Sequence, residues 1–173
     1  VTALSVQALV YDTLIEDKPD VEDLAPYITS WNTAKKKLVL VGVNDPGSID
    51  TEVIERLAND PSVIVMTETT SNLHHPSFLN NIDTIITPFT KEDFALYQPD
   101  ILLTFGGLVV SKRVKAFLRK YPPAEHWHID PLRAYDTFDA LTKHFVADAN
   151  EFLLGFLSNT ERYTSKRRAS IIG

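Results

Sequence analysis

The chain has 173 residues with 17 Lys and Arg against 23 Asp and Glu, a formal net charge of −6, 44% hydrophobic residues and no cysteine. That is ordinary composition for one globular domain with a real core. It excludes disulfides and thiolate metal sites, and an acidic chain is a poor match for a nucleic-acid backbone. No apolar run approaches the ~18 residues of a membrane span.

In chain order, the first 36 residues read as a connecting arm or edge element, with Tyr11-Asp12 and the Pro19 to Pro26 segment as its markers. There is no initiator Met, and the sole Met is Met66, so the segment is expected to begin inside a longer gene product. Residues 38–43, Leu-Val-Leu-Val-Gly-Val, form a short, β-branched, continuously apolar run, as in a strand buried on both faces. Residues 62–66, 82–86 and 100–105 repeat the pattern, and 126–130 is a weaker fifth candidate.

Helical patterns lie between these runs. Residues 48–58 place Val53, Ile54, Leu57 and Ala58 on one face, with Ser48 as N-cap and Asp50 and Glu52 suiting the helix dipole. Thr90 to Asp93 looks like a capping box for a helix to about Tyr97. Residues 111–120 gather Val114, Phe117 and Leu118, and residues 147–163 gather Phe152, Leu153, Phe156 and Leu157. Strand–helix alternation of this kind predicts an α/β fold: an open, doubly wound parallel sheet with helices on both faces. The expected division is an arm over 1–36, an α/β domain over 37–164 and a linker over 165–173, whose Lys166-Arg167-Arg168 reads as a solvated run.

In such a sheet, ligands bind beyond the C-terminal strand ends, where strand order reverses. An order of 3-2-1-4-5 puts that point between the runs at 38–43 and 100–105. The loops there hold Asn44 and Gly47 on one side and Gly106 and Gly107 on the other. Neither matches a dinucleotide or P-loop fingerprint, and tight strand-to-helix turns explain the glycines equally well. Glu68 follows the second run, with Ser71 or Asn72 as a cap for a helix start or Glu68 itself in polar or acid–base work. His74-His75 and His126/His128 lack a third zinc ligand and read as loop and edge-strand histidines.

Ser111-Lys112-Arg113 is the sharpest feature. With Ser111 as N-cap, Lys112 and Arg113 fall in the first helical turn, where cations oppose the dipole at roughly 0.3–1 kcal/mol each. An anion nearby would repay that cost, because helix-end amides, a lysine and an arginine together suit a carboxylate or phosphate. Two solvated surface cations remain the other reading of the same residues.

The stretches Thr67 to Leu73, Pro99 to Gly107, Ser111 to Arg113 and Trp127 to Asp130 resemble the central domain of the MenD family of menaquinone biosynthesis. The likeness runs from about Lys37 to Phe145. It implies one of three α/β domains of a homo-oligomeric, cytoplasmic synthase. Such an enzyme uses thiamine diphosphate and magnesium to decarboxylate 2-oxoglutarate and add the succinyl-semialdehyde unit to isochorismate. It implies that the activating glutamate, the metal motif and the cofactor lie with the flanking N- and C-terminal domains, so that the isolated domain is inactive and carries no cofactor. It also implies that the central domain, though similar to an NAD/FAD-binding fold, needs no dinucleotide. Finally, it assigns Lys112 and Arg113 to carboxylated small-molecule substrates. A free-standing nucleotide- or anion-binding module is the competing expectation, and a purely structural domain the third.

Overall fold

The computed structural model describes residues 21–162. Five parallel strands form one sheet in the order β2-β1-β3-β4-β5: β1 Lys37–Val41, β2 Val63–Thr67, β3 Ile101–Phe105, β4 Glu125–Ile129 and β5 Leu141–Phe145. The open, doubly wound α/β expectation holds. The helices are α1 Val21–Thr33, α2 Thr51–Ala58, α3 Ile82–Ile86, α4 Lys91–Tyr97, α5 Lys112–Lys120 and α6 Ala149–Asn159.

Because successive strand residues face opposite ways, the sheet carries two cores. Val39, Val41, Ile101, Leu103, Phe105, Trp127 and Ile129 pack with Leu24 and Trp31 of α1, Val53 and Leu57 of α2, and Phe152, Leu153 and Phe156 of α6. Leu38, Leu40, Met66 and Leu102 pack on the other face with Ile82 and Ile86 of α3 and Val114, Phe117 and Leu118 of α5. β1 and β3 are buried at every position, as continuous apolar runs with helices on both sides require.

Three elements depart from the sequence reading. The run at 82–86 is not a strand: it is the short helix α3, with Ile82 and Ile86 buried four residues apart. Five residues of mixed Ile and Asp-Thr satisfy either period. The edge beyond β2 is instead met by a single parallel bridge between Met66 and Leu79.

Second, the part of the 1–36 segment that the structure describes is largely helical. Leu24, Tyr27, Ile28 and Trp31 recur at helical spacing and join the core, and Tyr27 meets Trp127 edge-on at 5.4 Å. Pro26, inside α1, hides that period from a reading that treats proline as a breaker. Tyr11-Asp12 and Pro19 lie outside the described residues, as does Lys166-Arg167-Arg168.

Third, β5 went unpredicted. It pairs beside β4, so His126 and His128 sit on an inner strand and not on an edge.

Smaller shifts follow local hydrogen bonding. Asp50 and not Ser48 is the N-cap of α2; the Ser48 hydroxyl donates to Asp45 O at 2.8 Å within the preceding turn. The capping box at Thr90 forms: Thr90 N donates to Asp93 Oδ2 at 2.9 Å, and Asp93 N to Thr90 Oγ1 at 3.3 Å. Loss of the expected third strand leaves β1 and β3 as neighbours, so the reversal of strand order lies between 37–41 and 101–105, where the sequence places it.

Candidate functional site

The C-terminal strand ends carry two clefts, one on each side of the start of α5. The first, of about 580 Å³, is lined by Thr67, Glu68, Thr69, Asn81, Asp83, Ser111, Lys112 and Arg113 among others. Ser111 caps α5 as expected, its hydroxyl oxygen accepting from Val114 N at 3.2 Å. Lys112 and Arg113 are exposed, and no carboxylate lies within 4 Å of either among the described residues.

The dipole conflict of that helix is resolved from within the chain. Glu68 reaches from the exit of β2 to the two amides just ahead of α5. Its carboxylate accepts from Val110 N at 2.9 and 3.1 Å and from Ser111 N at 2.6 Å. Asp83 of α3 accepts the Ser111 hydroxyl at 2.6 Å. Two carboxylates therefore stand at the positive pole of α5, each an anion of the kind a helix N-terminus favours.

Glu68 is itself held. It opens the 3-10 turn Thr69–Ser71, its amide donates to Ser71 Oγ at 2.9 Å, and Ser71 Oγ donates to Val41 O at 2.7 Å. Ser71 and Asn72 are thus not N-caps of a helix. Asn72 closes the turn at φ 51°, and its side chain donates to Asn44 O at 2.8 Å.

The glycine loops do not open toward the first cleft. Gly107 N donates to Val43 O at 2.6 Å, and a Cβ on Gly42 would lie 2.0 Å from Gly107 O. A Cβ on Gly106, at φ 82°, would meet Val43 O at 2.8 Å. These glycines let the β1 and β3 exits touch each other. Gly47, at φ 72°, has open space around it. Of the expected residues, Ser111, Lys112, Arg113 and Glu68 share the first cleft; Gly106 and Gly107 line the second; Asn44 and Gly47 line neither.

The second cleft, of about 220 Å³, lies over β3 and β4 and is lined by Thr104, Gly106, Lys115, His126, His128, Asp130, Arg133, Tyr135 and Phe138 among others. The Thr104 hydroxyl sits 2.7 Å from both His126 Nε2 and His128 Nδ1, within hydrogen-bond reach of each ring, with the direction of each bond set by the ring tautomers. His126 is buried, and burial, with the charge of His128, pushes its pKa down to about 4. Burial also lowers His128, against the pull of Asp130. His144 Nε2 lies 2.8 Å from Asp130 O, which fixes the neighbouring ring on β5.

The sequence shows that His126 and His128 share a face. It does not show Thr104, which meets them only through the β3–β4 register that pairs Thr104 with His128. Asp83 was hidden inside a segment read as a strand. His75 is engaged elsewhere, Nε2 facing Glu55 at 3.3 Å and Nδ1 accepting from Ser77 N at 3.0 Å.

Comparison with known proteins agrees with this architecture. The family model described as "Middle domain of thiamine pyrophosphate" matches residues 18–165. A 2-succinyl-5-enolpyruvyl-6-hydroxy-3-cyclohexene-1-carboxylate synthase of Flavobacterium johnsoniae is 57% identical over 147 residues, covering 84% of this chain and 26% of that protein. The synthase of the same name from Flavobacterium psychrophilum is 55% identical over 157 residues, 91% of this chain and 28% of its own length. One from Porphyromonas gingivalis is 32% identical over 120 residues, 69% and 20% of the two chains. The chain thus spans roughly a quarter of the length of these relatives, 26% and 28% for the first two. An open parallel sheet, a strand-order reversal flanked by a charged cleft and a match that runs through every described element have one reading: the chain belongs to the family of middle domains of thiamine pyrophosphate enzymes.

Proposed function

We propose that this chain is the central domain of a synthase of the kind its relatives are named for, and that it lends Lys112 and Arg113 to the recognition of a carboxylated substrate. The full enzyme decarboxylates 2-oxoglutarate and adds the succinyl-semialdehyde unit to isochorismate. It works in the cytoplasm as a homo-oligomer, with an α/β body that takes in α1 as well as 37–164, and with the segments on either side leading to flanking domains. One observation carries the reading: two cations stand exposed in a cleft at the C-terminal strand ends, while the acidic groups beside them are committed to the helix end. A carboxylate meeting a lysine and an arginine forms charge-assisted hydrogen bonds, the arginine in a two-pronged fork.

The described residues do not fit the cofactors. Among them, no group of three or more His, Cys, Asp or Glu is placed to hold a metal ion, and the two amides ahead of α5 are held by Glu68. In this reading thiamine diphosphate and magnesium belong to the flanking domains, and the chemical step with them. The free-standing nucleotide module is not favoured, because the Gly106-Gly107 loop closes on Val43 and leaves no phosphate cradle there. No helix among the described residues is long and apolar enough to cross a membrane.

The test is kinetic and uses the full-length protein. Arg113→Ala is expected to lower kcat/KM for one of the carboxylated substrates about 10- to 100-fold, as loss of a charged hydrogen-bond partner does. The affinity for thiamine diphosphate should move far less. Unchanged kinetics in both Arg113→Ala and Lys112→Ala would remove the assignment.

A further inference from the structure

Any helix start with free amides and adjacent cations binds small anions without much selectivity. The start of α5 has Lys112 and Arg113 in its first turn, yet the two amides ahead of it are filled by Glu68. A second acid, Asp83, takes the N-cap hydroxyl. The two acids come from different elements, the β2 exit and α3, so the first turn of α5 is tied to both. The preceding loop is clamped too, Gly107 N donating to Val43 O at 2.6 Å. The position of the Lys112–Arg113 pair is thus set by bonds on both sides of residues 107–111.

We propose that Glu68 is a positioning and specificity-setting residue of the Lys112–Arg113 cleft: its carboxylate is the built-in occupant of the two amides that lead into α5. A substrate carboxylate is then met by the two cations and the first-turn amides, and an inorganic anion finds the two amides ahead of the helix already taken. This rests on the carboxylate-recognition reading above. It predicts a competition that a merely structural strut would not produce. With Glu68 shortened, the freed amides and the two cations form a phosphate site that overlaps the substrate's.

The experiment uses the full-length protein, with carbon dioxide release from 2-oxoglutarate as the assay. Inorganic phosphate is the probe, against chloride at matched ionic strength. Glu68→Ala is expected to raise the KM of a carboxylated substrate about tenfold, with kcat within about threefold of the parent. It should also become several-fold more sensitive to phosphate, competitively with that substrate. Glu68→Gln keeps an acceptor on both amides and is expected to bring both readouts most of the way back. Should Glu68→Ala not accumulate folded, Glu68→Ser vacates the same amides and is read the same way. Parent-like KM and phosphate response in the truncated variant overturn the inference, as does a Gln variant no better than Ala. A drop in thermal stability and kcat without those changes marks a strut and also overturns it. Parallel Lys112→Ala and Arg113→Ala variants keep the two ideas apart, since their silence would bring down the cleft reading itself.

Discussion

On one side of the α5 start, Lys112 and Arg113 stand in water with Glu68 and Asp83 behind them; on the other, Thr104, His126 and His128 are packed between the sheet and Phe138. Both clefts put ionisable groups at the C-terminal edge of the same parallel sheet. The first keeps its charges, because exposure makes them cheap and internal carboxylates offset the helix pole. The second discharges them, because burial disfavours the protonated imidazole. A cleft of the first kind is able to hold an anion at neutral pH. One of the second kind contributes hydrogen-bonding groups and shape, with its remaining charges on Lys115, Asp130 and Arg133 at the rim.

Acid breaks this contrast most strongly. His126 titrates at about 4 in the fold and near 6.5 when unfolded. Between those values the unfolded chain binds the extra proton, so stability is fully present above about pH 7 and falls as pH drops. The His126 contribution alone should cost about 2 kcal/mol by pH 5 and about 3 kcal/mol by pH 4. His128, also lowered, adds in the same direction. Urea unfolding between pH 7.5 and 5, compared with His126→Gln, reads the effect. A parent whose slope matches the variant's would mean that the ring is not buried in its neutral form.

A smaller effect sharpens the same side. Thr104→Val keeps volume and removes the one hydroxyl that serves both rings. His126 Nδ1 already lacks a partner, so the substitution leaves the ring with none on either nitrogen. The expected loss is about 1–3 kcal/mol at pH 7.5 by urea unfolding. Thr104→Ser, which keeps the hydroxyl, should recover most of it.

The sequence made the two clefts unequally legible, for a physical reason. Lys112 and Arg113 break a local rule, the dipole preference of a first helical turn, and local violations are visible without a fold. The strands β1 to β3 are visible for a similar reason: a strand covered on both faces has to be apolar throughout, or nearly so, whereas β4, with Glu125, His126 and His128, carries a weaker signal. What escaped needs long-range geometry. Glu68, Asp83 and Ser111 lie far apart in the chain and meet only because β2, α3 and α5 end at one edge. Thr104 and His128 meet by register. β5, Leu-Thr-Lys-His-Phe, has one neighbouring strand and only Phe145 fully buried, so its composition carries little of the strand pattern. The core face of α1 was present in Leu24, Tyr27, Ile28 and Trp31, masked by Pro26.

The smallest predicted effect is the most discriminating for the charged cleft. Lys112→Ala and Arg113→Ala should each shift the unfolding free energy by less than about 0.5 kcal/mol, because exposed charges without a close partner contribute little. Electrostatic contributions of opposite sign are involved. Removing a cation relieves its repulsion from the helix pole, and it also leaves Glu68 and Asp83 with less positive charge nearby. Alanine in a first turn adds a slight gain in helix propensity. These contributions nearly cancel, and salt screens what is left. Thermal unfolding at low and high ionic strength is the measurement. A loss of about 2 kcal/mol or more from either substitution would tie that side chain into the fold's own hydrogen bonding. It would then be unavailable to a substrate, and the contrast between the two clefts would collapse. A near-neutral result beside a large kinetic effect is the pattern of a residue held in place by others and kept for a ligand.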